Sequence, residues 1–149
     1  MENTIIILSG GFDPVHKGHV RMFKAAKFFP AIVIVGLNSD NWLTRKKGKP
    51  FMDWNERKEI LEVMSCIDFV YSFDDDDNSA CALIEKVKED YKDKAKFKLC
   101  FGNGGDRTDE NSPEVNFCIK NDIEMLWGIG GGKIQSSSDL INNSKINLK

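Results

Sequence analysis

The two histidines of this chain lie three residues apart in the segment GGFDPVHKGH, directly behind the apolar run TIIIL and before a stretch of helical period. At this spacing in the first turn of a helix, the rings of His16 and His19 project on one side, and Gly18 leaves room for a ligand between them. Gly10 and Gly11 let backbone N–H groups approach a ligand at the positive end of the helix dipole. The combination predicts an anion site suited to a phosphate that gains charge in its transition state.

Alternative roles for this turn fit its residues less well. It matches neither the G-x-x-x-x-G-K-S/T phosphate loop nor the G-x-G-x-x-G dinucleotide fingerprint. A zinc site would need a third and usually a fourth ligand, and the chain has no further histidine. A purely structural role for the histidines is the remaining alternative, which the glycine context disfavours.

A cationic cluster, an arginine and a hydroxyl cluster are further candidates for a functional role. RKKGK, at 45–49, places four cations in five residues of a chain whose net charge is −2, which is typical of a solvated loop or of a nucleic-acid patch. Arg57 falls in the first turn of a predicted helix, where the dipole disfavours a cation, so a surface pair with Asp53 or Glu56 is one alternative. GGGKIQSSSD, at 130–139, combines glycines with three hydroxyls at a helix start.

Two clusters that could suggest a metal are interpreted without one. FDDDDN, at 73–78, lacks the glycine and the distal glutamate of a calcium loop, so we expect a solvated turn. The four cysteines form no C-x-x-C pair and are expected to be buried free thiols.

The elements that must position these residues follow from the pattern of apolar runs. Short apolar runs alternate with segments of helical period, which predicts β/α units and a parallel sheet with helices on both faces. The predicted strands are 4–9, 31–36, 69–73, 96–101 and 124–127. The predicted helices are 19–29, 53–67, 80–91 and 113–121, with a short one from 136 or 137. The fold class is therefore α/β, with a Rossmann-like parallel sheet of about five strands.

Capping residues locate several of these helix starts. Asp53 and Glu56 form a capping box, and Asn78 or Ser79 is expected to cap the helix over 80–91. Ser112 followed by Pro113 starts the next helix. The buried stripe expected after the capping box is Ile60, Leu61, Val63 and Met64.

Length and charge limit the number of domains and the binding partners that we expect for this chain. At 149 residues, we expect one domain over 1–149, with a frayed tail at 144–149. The net charge of −2 gives the chain no overall attraction to nucleic acid or to an anionic membrane. No apolar run approaches the length of a signal-peptide core or of a membrane span, so we expect a cytoplasmic protein with neither a membrane nor a nucleic acid as partner.

Taken with its strand–turn–helix setting, GGFDPVHKGH resembles the G-x-F-D-x-x-H-x-G-H signature of the nucleotidyltransferase superfamily that includes cytidylyltransferases and small adenylyltransferases. Further segments resemble, in order, blocks of the bacterial heptose-1-phosphate adenylyltransferase domain and of glycerol-3-phosphate cytidylyltransferase. These segments are VGLNSD, NERKEIL, IDFVYSF, GNGGD and IQSSSDLI. The resemblance covers nearly the whole chain and implies a nucleotidyltransferase fold of the HxGH type.

The resemblance implies roles for individual residues. His16, His19, Lys46 and Arg57 would be catalytic, acting on the phosphates as pyrophosphate departs. Asp40 and Lys47 would bind the substrate, with Gly48 as the hinge of a mobile basic loop. For Asp13, a turn-stabilising role is an equal alternative to a ligand role. The residues implied for nucleotide binding are Gly10, Gly11, Phe12, Asp13, Gly18, Asp106, Ser136, Ser137 and Ser138.

The reaction implied is transfer of a nucleoside monophosphate from an NTP to a phosphorylated acceptor, with Mg²⁺ on the β- and γ-phosphates. ATP and a sugar phosphate such as heptose 1-phosphate are preferred, because GIGGG replaces the R-T-x-G stretch of the glycerol-phosphate enzymes. The alternative substrates are CTP and glycerol 3-phosphate. A non-catalytic nucleotide-binding module and a nucleic-acid partner that uses RKKGK are alternatives of other classes, and a homodimer is expected from similar proteins.

Overall fold

A computed structural model describes residues 3–28, 30–93, 96–104 and 112–131. Its centre is a parallel sheet of five strands in the order β3-β2-β1-β4-β5. The strands are β1 (Asn3–Gly10), β2 (Ala31–Leu37), β3 (Phe69–Tyr71), β4 (Phe97–Gly104) and β5 (Glu124–Ile129). The five predicted strands are confirmed, with β3 shorter than expected.

The helices connect consecutive strands. They are α1 (Lys17–Phe28), α2 (Asp40–Lys47), α3 (Trp54–Glu62), α4 (Cys81–Tyr91) and α5 (Pro113–Lys120). None of these described helices has the length and the apolar character needed to cross a bilayer. The short helix predicted from 136 or 137 lies outside the described residues.

The core lies on both faces of the sheet, as its parallel topology requires. On β1, Ile6 and Leu8 belong to one cluster of buried side chains, together with Phe23 of α1. The alternate residues Ile5 and Ile7 belong to a second cluster, formed with α4 and α5. Helices on both faces are therefore confirmed, and the continuous apolar run of β1 results from burial on both faces.

The strand order places β1 between β2 and β4, so the chain crosses to the opposite side of the sheet after β3. In open parallel sheets, ligands bind outside the carboxyl ends of the strands at such a reversal. The segment GGFDPVHKGH begins at the carboxyl end of β1, which is therefore the expected position for a ligand.

Helix α2 was not expected, because 45–49 were predicted to form a mobile basic loop and no element was predicted over 40–44. Ser39 caps its N-terminus through a bond from the backbone N–H of Trp42, and Gly48, with φ 95°, closes its C-terminus. Arg45, Lys46 and Lys47 occupy the last turn, where cations favour the helix dipole. The capping serine and the closing glycine are local signals for a helix, but the polar sequence between them has no apolar stripe to support them.

Helix α3 begins as predicted and ends earlier. The Asp53 side chain accepts a hydrogen bond from Glu56 N at 2.9 Å, as the capping box requires. The predicted stripe is partly wrong, because Ile60 is 38% exposed and Val63 is 81% exposed. The helix ends at Glu62, so the residues after it no longer follow a helical face.

Two smaller expectations concern a helix cap and the cysteines. Ser112 and Pro113 start α5 as predicted, whereas the N-cap position of α4 is Ala80 and not Asn78 or Ser79. All four cysteines are free thiols as expected, but only Cys100 and Cys118 are buried, whereas Cys66 and Cys81 are partly exposed. Burial raises the pKa of Cys118 to about 11.

Candidate functional site

The turn after β1 carries the histidine pair into the first turn of α1. Phe12 adopts a positive φ of 47° and is buried, with its ring 4.9 Å from that of His19 in an edge-on contact and 5.3 Å from that of Phe23. Its aromatic ring therefore supports the histidines from the core side. A Cβ on Gly10 would lie 2.9 Å from the Phe12 ring, so this glycine makes the arrangement possible.

The two histidines cap the helix that carries them. His16 is the N-cap residue, and its Nδ1 accepts a hydrogen bond from Gly18 N at 3.1 Å. His19 is the third helical residue, and its Nδ1 accepts a bond from His16 N at 3.2 Å. The two bonds form a reciprocal capping arrangement in which imidazoles take the places that hydroxyl and carboxyl groups usually fill.

This capping fixes the tautomer of each neutral ring. A backbone N–H can only donate, so Nδ1 must be the acceptor and Nε2 must carry the proton. The rings of His16 and His19 are stacked, with centroids 3.7 Å apart and planes 21° from parallel. Two N–H donors are therefore held side by side at the start of α1.

The stacked rings correct one expectation. Gly18 was expected to leave room for a ligand between the histidines, but a centroid separation of 3.7 Å leaves none. A Cβ on Gly18 would lie 2.9 Å from His16 Cε1, so the glycine makes room for the His16 ring itself.

His19 is neutral at physiological pH. Burial lowers its pKa, and the neighbouring His16 and the charge of Lys46 lower it further, from 6.5 to about 4. The charge of Lys46, in the last turn of α2, thus acts on His19.

Lys46 and Lys47 have different surroundings. Lys46 is exposed, and its Nζ lies 4.8 Å from the centre of the Trp42 ring. Lys47 Nζ lies 2.8 Å from Asp13 Oδ2 and donates to Asp13 O at 2.8 Å. The expectation that Lys47 binds the substrate does not fit this ion pair, because its ammonium group is held by a buried carboxylate.

Asp13 holds the turn together. Its side chain is 1% exposed and accepts hydrogen bonds from Phe51 N at 2.6 Å and Met52 N at 2.7 Å. With Lys47, these contacts connect the turn to the segment between α2 and α3. The geometry supports the turn-stabilising alternative.

Arg57 is fully buried, so the alternative of a surface pair with Asp53 or Glu56 is wrong. Its Nη1 donates to Gly11 O at 2.9 Å and to Asn38 O at 2.8 Å. Its Nε donates to Met52 O at 3.0 Å. The structure thus places the guanidinium among protein oxygens, where it joins the turn after β1 to the end of β2.

Asp40 completes this arrangement. Its Oδ1 accepts a bond from Arg57 Nη2 at 2.7 Å, while the side chain remains 44% exposed. It lines a cleft of about 300 Å³ beside the carboxyl ends of β2 and β3. The residues that line this cleft are Leu37, Ser39, Asp40, Trp54, Ser72 and Phe73.

The acidic run was expected to be a solvated turn, and for Asp75 this is wrong. Asp75 is 2% exposed, because Asn38 and Ser39 surround its carboxylate with hydrogen-bond donors. Burial alone would raise the pKa of Asp75, but these bonds and the nearby Arg45 charge hold the pKa below its usual value. Its three neighbours in the run are exposed.

Sequence reasoning missed Asp75 and Trp54. Trp54 Nε1 donates to Leu37 O at 3.1 Å, which fixes the indole ring at the edge of the cleft. A run of four aspartates does not reveal which one is buried, and no sequence signal identified Asp75. Asp106, Ser136, Ser137 and Ser138 lie outside the described residues.

Within the described ranges, no three side chains of His, Cys, Asp or Glu are grouped so that they could hold a metal ion.

The segments that form this site match a known protein family. The family model described as cytidylyltransferase-like matches residues 7–122, which includes the histidine pair, α2 and Arg57. The chain belongs to the cytidylyltransferase-like family. The match confirms the resemblance that the segment GGFDPVHKGH indicated.

Curated relatives share part of the chain. The bifunctional protein HldE of Geobacter metallireducens is 41% identical over 86 residues, which are 56% of this chain and 17% of the relative. HldE of Helicobacter pylori is 38% identical over 91 residues, which are 60% of this chain and 19% of the relative. The chain thus spans about a fifth of the length of these relatives.

Solved structures share the fold. A bifunctional NMN adenylyltransferase/ADP ribose pyrophosphatase from Francisella tularensis has a TM-score of 0.68 at 13% identity, covering 99% of this chain and 43% of the other. A lipopolysaccharide core biosynthesis protein from Thermoplasma volcanium has a TM-score of 0.61 at 17% identity, covering 83% and 93%. The Rossmann-like nucleotidyltransferase fold is therefore confirmed.

Proposed function

We propose that the chain transfers the adenylyl group of ATP to a sugar 1-phosphate such as heptose 1-phosphate and releases pyrophosphate. The observation that carries the proposal is the pair of stacked histidines whose tautomers are fixed by backbone donors at the start of α1. In the reaction, an acceptor phosphate oxygen attacks the α-phosphorus as the bond to the pyrophosphate oxygen breaks. The acceptor phosphate is already a nucleophile, so no covalent enzyme intermediate is needed.

The histidines act as neutral donors in this proposal. Each Nε2–H donates to phosphate oxygens, where negative charge grows in the transition state. Because the Nδ1 bonds hold both rings before the substrate binds, little reorganisation is needed during the reaction. The low pKa of His19 supports a hydrogen-bonding role and not proton transfer at neutral pH.

Lys46 and Arg57 have separate tasks. Lys46 supplies a positive charge to the triphosphate from the last turn of α2, near the histidine pair. Arg57 is a positioning residue, because its guanidinium already binds Gly11 O, Asn38 O and Asp40. It holds the turn after β1, at 10–16, at a fixed distance from the end of β2. We call this turn the nucleotide turn.

The proposed place of the acceptor is the cleft beside β2 and β3. Its aromatic walls, Trp54 and Phe73, suit the apolar face of a sugar ring, and Ser39 and Asp40 offer polar groups to sugar hydroxyls. Arg57 connects this cleft to the nucleotide turn through Asp40. The choice of a sugar phosphate and ATP is also supported by the closer resemblance of NSD, at 38–40, of SFDDDD, at 72–77, and of GGD, at 104–106, to the heptose-phosphate adenylyltransferases.

Mg²⁺ is proposed to accompany the NTP. Mg²⁺ at such sites is usually held by one or two carboxylates together with the substrate's phosphates, so the phosphate oxygens would be its main ligands. When bound, the ion neutralises charge on the β- and γ-phosphates. The roles given to the histidines, Lys46 and Arg57 do not depend on its position.

A matrix of nucleotides and acceptors tests the proposal. ATP, CTP, GTP and UTP are each combined with heptose 1-phosphate, glycerol 3-phosphate and phosphocholine, and pyrophosphate is measured. Reactions without acceptor control for hydrolysis. We expect the highest kcat/KM with ATP and heptose 1-phosphate. Preference for CTP with glycerol 3-phosphate would instead support the cytidylyl alternative.

A nucleotide-binding module without activity predicts a different result. Such a module would bind ATP in a calorimetric titration and release no pyrophosphate with any acceptor. The intact histidine pair, with both tautomers fixed, argues for catalysis, because nucleotide binding alone would not require it. A nucleic-acid partner would instead show steeply salt-dependent binding to an oligonucleotide.

A further inference from the structure

The acidic run contains one aspartate with contacts unlike those of its neighbours. Asp75 Oδ2 accepts from Ser39 N at 2.7 Å and from Asn38 Nδ2 at 3.0 Å. Asp75 Oδ1 accepts from Ser39 Oγ at 2.7 Å. The carboxylate therefore binds the residues that join β2 to α2, which are 36 and 37 positions away in the sequence.

The Ser39 hydroxyl connects Asp75 to helix α2. Its single proton is donated to Asp75, so its lone pairs face the backbone N–H of Trp42, which donates to it at 3.0 Å. Asp75 thus fixes the orientation of the hydroxyl that caps the helix. Without a carboxylate at this place, the hydroxyl is free to turn.

The C-terminal end of α2 is hydrogen-bonded to the loop between β3 and α4, which also contains Asp75. Arg45 Nη2 donates to Asp75 O at 2.7 Å, and Arg45 Nε donates to Asn78 Oδ1 at 3.2 Å. Both ends of the helix are therefore bound to the loop between β3 and α4. Because these hydrogen bonds lie at opposite ends of α2, they restrict both tilting of the helix and sliding along its axis.

The position of α2 matters for the site in three ways. The helix carries Lys46, whose charge acts on His19, and it carries Asp40, which binds Arg57. Its Leu43 packs against the nucleotide turn, where a Cβ on Gly11 would lie 2.8 Å from Leu43 Cδ2. A small displacement of α2 would therefore move the cation, the arginine partner and the turn together.

We propose that Asp75 is a positioning residue for the transfer reaction, which holds α2 so that Lys46 reaches the triphosphate and the acceptor cleft keeps its shape. The cleft has one wall at Ser39 and Asp40 and another at Ser72 and Phe73, and Asp75 joins the two walls. This inference rests on the proposed function, which supplies the reaction that Asp75 would support. The acidic run FDDDDN was expected to be a solvated turn, and this proposal assigns a positioning role to its buried residue, Asp75.

Asp75→Asn is the decisive variant, and Asp77→Asn is its matched control. Both remove one negative charge from the same run, but the Asp77 carboxylate accepts its bonds from Ser79, two residues along the same loop. In Asp75→Asn, an amide NH₂ replaces one carboxylate oxygen and faces groups that are themselves donors. We expect kcat for pyrophosphate release to fall about tenfold in Asp75→Asn, a typical coupling for contacting residues. Asp77→Asn should remain within about twofold of wild type.

A double-mutant cycle separates positioning from general destabilisation. If Asp75 acts by placing Lys46, Asp75→Asn should reduce kcat much less in a Lys46→Ala background than in wild type. Fully multiplicative losses in kcat would overturn the proposal. Arg45→Ala removes the hydrogen bonds between the other end of α2 and the loop, and it changes a surface residue. It should also lower kcat, which keeps the proposal testable if Asp75→Asn does not fold. An unchanged kcat in Arg45→Ala would also contradict the proposal.

A readout without turnover distinguishes failure of this inference from failure of the proposed function. The Lys46 charge lowers the pKa of His19, so loosening α2 should raise the NMR titration midpoint of His19 in Asp75→Asn and leave it unchanged in Asp77→Asn. Equal midpoints in wild type and Asp75→Asn would overturn the positioning role. If wild type releases no pyrophosphate with any nucleotide, the proposed function fails, whereas this titration still decides the inference.

Discussion

At the scale of single residues, the site depends on which ring nitrogen carries the proton. The bonds from Gly18 N and His16 N to the two Nδ1 atoms leave Nε2–H as the donor on each neutral ring. A protonated imidazole would lose this capping, because Nδ1–H cannot accept from a backbone N–H. The helix start therefore requires neutral histidines, and in this state each ring still offers its Nε2–H to a phosphate oxygen.

The titration of His19 tests this requirement. Burial, His16 and Lys46 lower its pKa to about 4, so an NMR titration should give a midpoint near that value. Because the pKa is lower in the folded state than in the unfolded state, the unfolded state binds more protons between pH 6.5 and about 4. His19 should thus cost the fold stability as the pH falls through this window and have no such effect above it. A midpoint near 6.5 would contradict the account.

Gly18→Ala separates activity from stability at the same place. Alanine is a better helix former than glycine by about 0.5–1 kcal/mol, but displacing the His16 ring removes a capping bond worth about as much, so the melting temperature should change little. The new Cβ would lie 2.9 Å from His16 Cε1 and displace that ring, so kcat should fall. Thermal unfolding and pyrophosphate release check the two parts. Wild-type kcat in this variant would show that the position of the His16 ring does not matter.

At the scale of elements, α2 shows what the sequence could and could not predict. The strands were predicted because buried apolar runs have a clear pattern, and the start of α3 because a capping box is a local signal. Helix α2 is polar and follows no such pattern, so its cationic end was taken for a loop. The contacts of Arg57 and Asp75 were not predictable, since they depend on oxygens and donors from distant segments, such as Gly11 for Arg57.

Gly48→Ala tests how α2 ends. Gly48 has φ 95°, a conformation that L side chains rarely adopt, and a Cβ there would meet nothing within 4 Å. The cost should therefore come from the backbone alone, and we expect the free energy of unfolding to fall by about 1–3 kcal/mol. Denaturant unfolding measures it, with Asn41→Ala on the exposed face of α2 as the control. Equal stability of Gly48→Ala and wild type would show that the helix does not need this ending.

At the scale of the whole molecule, the sheet brings together residues from distant parts of the sequence. Parallel strands place the turn after β1, the start of α2 after β2 and the loop after β3 at one edge. Asn38 N donates to Gly10 O at 2.9 Å, so the first two of these segments are also bonded directly. The close fit of helices on the sheet keeps this edge in place.

Gly36→Ala tests that fit away from the site. A Cβ on Gly36 of β2 would lie 2.2 Å from Leu83 Cδ2 of α4, and overpacking of a core costs about 1–3 kcal/mol. We expect a lower free energy of unfolding in denaturant. In a Leu83→Ala background the same change should cost less, because the space is then available. Strictly additive effects of the two substitutions would show that the contact between strand and helix is not the cause.

The most direct test of the central claim is the rate of pyrophosphate release by His16→Ala and His19→Ala with ATP and heptose 1-phosphate. Lys24→Ala, an exposed cation on α1, is the control. We expect kcat to fall about 10²-fold or more in each histidine variant, as for the loss of one oxyanion donor, while Lys24→Ala retains wild-type turnover. Near-normal turnover in both folded histidine variants would contradict the account.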